Sequence, residues 1–245
     1  MTGLLISVKD AHEARIALES GADLIDIKDP HYALGRCDQQ TWSQVCHLVC
    51  GQRPVSLALG ELLSDWPCSP IPARLEIDFL KIGLAGCGEV DEWERAWADA
   101  LAELPARAKN VAVAYVDWQR ASSPTPDEVL SAATRLGCHA FLLDTFDKRQ
   151  GSLFDHLSLQ QAGALVGAAR EHGFLSVLGG SISLETLDQA ISLSPDFVAI
   201  RGAACRDDRA GRIDGALTSE LVDRIATQRT GHADGKRFRF HGAAG

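Results

Sequence analysis

Lysine is scarce in this sequence. Of 24 basic residues, six are lysines (Lys9, Lys28, Lys81, Lys109, Lys148 and Lys236) and the other 18 are arginines. Arginine carries surface charge well but stays protonated and is a poor nucleophile, whereas a lysine amine can lose its proton to its surroundings and attack a carbonyl. The position of each lysine is therefore informative. Other absences narrow the class. No run approaches the ~20 apolar residues of a membrane span. The opening MTGLLISVKDAHEAR passes into strand and helix patterning without a signal-peptide profile, so a cytoplasmic protein is expected. The seven cysteines, at 37, 46, 50, 68, 87, 138 and 205, are odd in number, hold no C-x-x-C pair and lack a partnered histidine spacing. They read as reduced thiols, and no metal site is expected. Positive charge is in deficit too. The 24 basic residues against 33 acidic ones leave a net charge of -9, which disfavours a nucleic acid or an anionic membrane as partner. An anionic small molecule would have to meet a local basic cluster.

What is present is barrel-like. The 245 residues exceed the usual single core of ~100–150 but match the ~250 of one (β/α)₈ barrel. With 46% hydrophobic and 23% charged residues and no low-complexity stretch, the chain can bury a sizeable core. Eight apolar runs of strand length, at 4–7, 23–27, 54–58, 79–82, 110–114, 140–143, 175–178 and 197–200, alternate with helical patterning over 11–19, 41–49, 92–104, 127–136, 160–171, 184–192 and 219–227. Asp10 with Glu13, and Thr125-Pro126 with Glu128, are helix-start signatures in which the third residue on can cap reciprocally. The third connection, 61–72, holds three prolines and is expected to be irregular. Strands joined by helices imply parallel pairing with right-handed crossovers, so the expected fold is α/β, a single (β/α)₈ TIM barrel over 1–229. The glycine-rich 230–245 reads as a flexible or partner-contacting tail. A doubly wound open sheet is the alternative, but no G-x-G-x-x-G follows the first strand, LLISVKDA, and its dinucleotide-binding version loses its main support.

In such a barrel the C-terminal ends of the strands carry the chemistry. Lys28 ends the second strand in DLIDIKDP, Lys81 ends the fourth in DFLKIG, and Lys148 lies four residues past the sixth in FLLDTFDK. Strand periodicity puts Asp26 on the same side as Lys28, just below it, with the lysine as its expected cationic partner. Asp144 holds the equivalent place at the end of the sixth strand. For both acids a plain loop cap or ion pair is the competing reading. After the seventh strand come Gly179, Gly180 and Ser181, and after the eighth come Arg201, Gly202 and Ala203, both read as opening toward helix starts. Glycine lets backbone N–H groups approach an anion, and the loops after strands seven and eight are the habitual phosphate site of these barrels. Tight turns are the plainer explanation. Arg201 could reach a phosphate or pair with Asp196 or Asp207.

The rest of the sequence points less sharply. His31 reads as a solvated loop residue. Cys46, Cys50 and Cys138 read as small hydrophobes on helix faces or ends. Trp42, Trp66, Trp93, Trp97 and Trp118 read as outer-layer or subunit packing, which makes a homo-oligomer the expectation.

Lysines beside carboxylates and a phosphate site suit carbon–carbon bond chemistry on a phosphorylated carbonyl compound. One lysine would form a Schiff base, a second cation would lower its amine pKa, and carboxylates would move protons, with no metal or other cofactor. That reading alone stops at a Schiff-base lyase, aldolase or isomerase acting on a sugar phosphate, or at a non-catalytic barrel that binds phospho-metabolites. The segments LLISVKDAHEARIALESGADLIDIKDPHYALG, DFLKIG, LLDTFDK and AIRGAAC go further. From about Leu4 to about Gly215 the chain resembles the (5-formylfuran-3-yl)methyl phosphate synthase family. The resemblance implies a lyase that condenses two molecules of glyceraldehyde 3-phosphate, losing one phosphate and water, toward methanofuran-type cofactors of one-carbon metabolism. It also implies Lys28 as the Schiff-base lysine, with Asp26, Lys81, Asp144 and Lys148 as its acid–base and charge-stabilising companions. Few lysines and seven cysteines are not a hyperthermophile's composition, so a bacterial setting is expected.

Overall fold

A computed structural model of the chain describes residues 1–67 and 70–231. Eight parallel strands close on themselves in sequence order. They are β1 (Gly3–Val8), β2 (Leu24–Ile27), β3 (Val55–Glu61), β4 (Phe79–Gly83), β5 (Lys109–Tyr115), β6 (Ala140–Asp144), β7 (Leu175–Leu178) and β8 (Phe197–Ile200). β8 returns to β1 with Leu5 opposite Ala199 and Ile6 opposite Ile200. The strands read as nearly unbroken apolar runs because both faces are covered, one by the helices and one by the barrel interior. Outward residues such as Ile6, Ile25, Leu57 and Ile82 pack under the helices. Inward ones, among them Leu5, Leu24, Phe79, Val111 and Phe197, fill the lower barrel. The mouth is different: its inward positions are charged.

The helices are α1 (Ala11–Glu19), α2 (Gln39–Val49), α3 (Leu62–Asp65), α4 (Trp93–Ala102), α5 (Trp118–Ala121), α6 (Pro126–Arg135), α7 (Leu153–His156), α8 (Leu159–Glu171), α9 (Leu187–Ser192) and α10 (Gly215–Gly231). Thr125 and Glu128 form the reciprocal cap expected at α6. At α1 only half of the expectation holds. Asp10 accepts from the Glu13 N–H, but the Glu13 carboxylate turns inward to Lys9 N–H and Arg201 instead of back to Asp10. The third connection has a single short helical turn, α3, before β4, as its prolines led one to expect.

Trp42 and Trp97 are fully buried in the core, as outer-layer packing requires, while Trp66, Trp93 and Trp118 are half-buried, Trp66 and Trp93 against that same core. Cys50 does not pack as a small hydrophobe; it is the exposed left-handed residue that ends α2. Of the expected tail, residues 230 and 231 end α10, and 232–245 lie outside the described residues. No helix among the described residues is long and apolar enough to cross a membrane.

Candidate active site

Five ionisable side chains converge where β2, β4 and β6 reach the mouth. Asp26 is the third residue of β2, Lys28 follows the strand, and Asp144 ends β6. Lys81 is not the last residue of β4, which runs on to Gly83. It therefore sits level with Asp26, one layer below Lys28. Successive inward residues on one strand stand about 7 Å apart and point the same way, so Lys28 cannot fold back onto Asp26. The pairing crosses the barrel instead. Lys81 Nζ lies 2.7 Å from Asp26 Oδ1, and Ser7 Oγ donates to Asp26 Oδ2 at 2.8 Å. Lys28 Nζ donates to Asp144 Oδ2 at 3.4 Å, while Lys148 Nζ contacts Asp144 Oδ1. Asp26 is thus paired with Lys81, not with Lys28 as the sequence led one to expect. All five groups are buried or nearly so.

Burial sets the protonation states. It pushes the Lys28 amine below its usual value; Asp144 opposes this, and the Lys81 charge adds to it. Burial likewise pulls Lys148 down to about 7, again against Asp144 and with the help of Lys28. For Asp144 burial acts upward, but Lys148 and Lys28 outweigh it and hold the carboxyl well below the ordinary carboxylate range. At neutral pH the cluster thus holds an ionised acid between two amines that each release a proton more readily than a free lysine.

Asp117, after β5, fixes the loop that carries Lys148: its carboxylate accepts the N–H of Phe146 at 2.6 Å and of Asp147 at 2.9 Å. Beside that loop, Tyr115 packs edge-on against Phe146 and its Oη donates to Glu61 Oε1 at 2.5 Å, while Ala85 N–H donates to Glu61 Oε2 at 2.9 Å. Burial raises the Glu61 pKa against these two hydrogen bonds. Neither pair was singled out from the sequence, although Glu61 has the signal that marked Asp144, an acid closing an apolar strand.

The cluster opens into a cavity of about 290 Å³ lined also by Gly179–Ser183 and Ala199–Ala203. Gly180, among the lining residues, takes φ +86°, which favours glycine. Among the described residues the N–H groups of Gly180, Ser181, Ile182, Gly202 and Ala203 donate to no backbone carbonyl. The helix-start part of the expectation is not met. α9 begins only at Leu187 and is six residues long, and after β8 comes one 3₁₀ turn, Gly202–Ala204. Arg201 differs as well. It pairs with neither Asp196 nor Asp207, but with the buried Glu13 at 2.7 Å. Its five N–H donors are all committed: two to Glu13, and one each to the carbonyls of Ser7, Arg209 and Gly211. It lines the cavity with no donor left for a ligand, which corrects its expected role as a phosphate ligand. Arg209, absent from the sequence expectation, points there instead.

The 4-HFC-P synthase family model matches residues 4–222. The chain belongs to the 4-HFC-P synthase family. The (5-formylfuran-3-yl)methyl phosphate synthase of Methanopyrus kandleri is 34% identical over 235 residues, covering 91% of this chain and 97% of the relative. The synthase of the same name from Methanothermobacter thermautotrophicus is 32% identical over 233 residues, covering 90% and 97%. For this 4-HFC-P synthase family member the barrel has structural parallels as well. Phosphoribosyl anthranilate isomerase from Thermus thermophilus superposes with a TM-score of 0.64 at 13% identity, over 94% of this chain and all of that one, a likeness of fold alone.

Proposed function

We propose that this protein is a lyase that condenses two molecules of glyceraldehyde 3-phosphate into (5-formylfuran-3-yl)methyl phosphate, releasing one phosphate and two waters, as a step toward a methanofuran-type cofactor. The observation that carries the proposal is the buried Lys28 amine, 3.4 Å from Asp144 and facing the cavity, with its pKa lowered by burial. A neutral amine in that place is the nucleophile that imine formation needs. Lys28 attacks the aldehyde of one triose phosphate, and the carbinolamine loses water to give the imine. Removal of the neighbouring C–H proton gives an enamine that expels the C3 phosphate, and the enol carbon C3 so formed attacks the ketone carbon of the second triose after that triose has isomerised. Ring closure by its terminal hydroxyl, loss of two waters and hydrolysis of the imine complete the furan and free Lys28.

The companions divide this work. Lys148, titrating near 7, can give a proton to a departing hydroxyl and take one back from carbon at neutral pH. Asp144 holds both amines in place and carries the balancing charge. Lys81 and Asp26 form the fixed ion pair beneath, and the Lys81 charge favours the neutral form of Lys28. The free N–H groups of Gly180, Ser181, Gly202 and Ala203 suit a phosphate held at the rim. The chemistry requires neither metal nor redox cofactor.

Borohydride reduction during incubation with glyceraldehyde 3-phosphate, followed by peptide mass spectrometry, tests the assignment. The expected result is a triose adduct on Lys28 and, without borohydride, a product with the near-ultraviolet absorbance of a furan aldehyde. Adducts confined to Lys81 or Lys148 would move the imine to another lysine. Binding of substrate without any adduct would refute the Schiff-base route.

A further inference from the structure

Besides Arg201, whose donors are all committed, four basic side chains meet two carboxylates in the cavity: Lys28, Lys81, Lys148 and Arg209 against Asp26 and Asp144. The lysines are matched, Lys81 to Asp26 and the other two to Asp144. Arg209 is not. Its Nε is buried and donates to nothing among the described residues, although the guanidinium is close enough to Asp144, Lys28 and Lys148 to bias the ionisation of each. A buried donor without an acceptor is costly, and a guanidinium cannot escape by losing its proton.

The backbone that carries Arg209 is fixed from several sides. Its loop is closed at the base by the antiparallel bridge between Cys205 and Ile213. Arg201 Nε donates to the Arg209 carbonyl at 2.6 Å and Arg201 Nη2 to that of Gly211 at 3.0 Å. Lys9 Nζ donates to the carbonyls of Ala210 and Gly211 at 2.8 and 3.2 Å, and Asp208 Oδ1 accepts the N–H of both residues. Arg201 is itself held by the fully buried Glu13. The network spends a strand-end arginine and a buried acid on presenting a different arginine to the cavity.

We propose that Arg209 reads the phosphate dianion of the substrate at the rim formed by Gly180–Ile182 and Gly202–Ala203, and that Arg201 and Glu13 are positioning residues that act through it. This deepens the reading of a phosphorylated substrate given above and rests on it. The planar guanidinium fork matches two phosphate oxygens, and its charge does not depend on the protonation state of the neighbouring amines.

The test uses the full chain and inorganic phosphate as probe, with binding followed by phosphorus NMR and folding by circular dichroism. Arg209→Gln should weaken phosphate binding ~10-fold or more, and Arg209→Lys, which keeps the charge but not the fork, should fall between it and the wild type. Rates of borohydride trapping supply the second readout. Arg209→Gln should slow trapping of glyceraldehyde 3-phosphate ~10-fold more than trapping of unphosphorylated glyceraldehyde, and free guanidinium should restore part of the difference. Glu13→Gln should raise KM for the phosphorylated substrate with a smaller change in kcat, a split that lost stability alone would not produce. Phosphate binding by Arg209→Gln within twofold of the wild type, or no phosphate binding by the wild type, overturns the proposal. If phosphate binding depends on Arg209 but no furan forms, the proposed reaction fails and the Arg209 assignment stands. If furan forms and Arg209→Gln keeps the wild-type KM, the assignment alone fails.

Discussion

Replacing Glu13 by glutamine tests whether the Glu13–Arg201 pair is the buried ionic link between α1 and the mouth of the barrel. Both side chains are nearly inaccessible, at 0% and 4% exposure, and Arg201 Nη1 lies 2.7 Å from Glu13 Oε2. Glu13 Oε2 accepts from Lys9 N–H at 2.9 Å as well, and Oε1 from Arg201 Nη2 at 3.3 Å. Glutamine keeps one carbonyl oxygen and replaces the other with an amide NH₂. Whichever way the amide turns, that NH₂ faces N–H donors, so the variant loses a charge and gains a donor–donor conflict. Breaking one side of a buried pair costs about 3–5 kcal/mol, because the remaining charge is left uncompensated and arginine cannot neutralise itself. For a domain of 245 residues that corresponds to a fall in Tm of roughly 6–20 °C. Urea denaturation of wild type, Glu13→Gln, Arg201→Met and the double variant reads the effect directly. The double variant should be less destabilised than the sum of the singles by about 2 kcal/mol, because it removes both charges together. A loss below about 1 kcal/mol in Glu13→Gln, or additive singles, would refute the reasoning.

Two further outcomes follow from the site. Burial brings Lys148 down to about 7 in the folded protein from an ordinary 10.5, so between those pH values the unfolded chain binds the extra proton and the lysine's contribution to stability rises with pH; below pH 7 its burial cost is fully present. Lys148→Met should therefore compare best with the wild type at pH 6–7 and lose ground by pH 9; the difference between the two proteins is the quantity to follow, since Cys37, Cys87 and Cys138, held near 12 when folded, act in the opposite direction in both. A difference in unfolding free energy that does not change over that window would contradict a depressed Lys148. At Gly83 an added Cβ would come within 2.1 Å of Glu61 Oε2, so Gly83→Ala should displace that carboxylate from Tyr115 and Ala85 and cost about 1–3 kcal/mol, recovered in part by Glu61→Ala in the same chain. Equal stability of Gly83→Ala and wild type by thermal melting would show that Glu61 is free to move.

The barrel was legible because its strands differ so little from their ideal pattern. Apolar runs covered on both faces stand out between helical stretches, and six of the eight observed strands differ from the expected spans only by residues at their ends, with β7 and β8 unchanged. The lysines were legible for the same reason, since a charge closing an apolar run has to be justified by a partner or by chemistry. What the pattern could not carry was pairing across the barrel. Asp26 and Lys28 are neighbours in sequence but bind residues 55 and 116 positions away, Lys81 and Asp144. Arg201 was misread through the same gap. Its partner, Glu13, has the spacing of a capping residue after Asp10, and nothing in AHEARIALE shows that this carboxylate turns inward. Arg209 follows three exposed charged residues, Arg206, Asp207 and Asp208, in the run RDDRAG, which has no periodicity to mark a buried donor.

The division of labour between lysine and arginine explains the scarcity of the first. A guanidinium holds its charge in any surroundings, which suits Arg201, whose task is to bind an acid and three carbonyls in a fixed arrangement. An amine responds to its surroundings. Lys28 and Lys148 lie where burial and neighbouring positive charge, that of Lys81 for Lys28 and of Lys28 for Lys148, lower their affinity for protons, while one carboxylate, Asp144, keeps them within reach of the same small volume. Arginine at position 28 would keep the positive charge and could not become the neutral nucleophile that the proposed imine requires. Arginine at position 148 would leave Asp144 paired but remove a group that changes protonation near neutral pH. Charge alone would be served by either residue; a proton that must leave and return requires lysine.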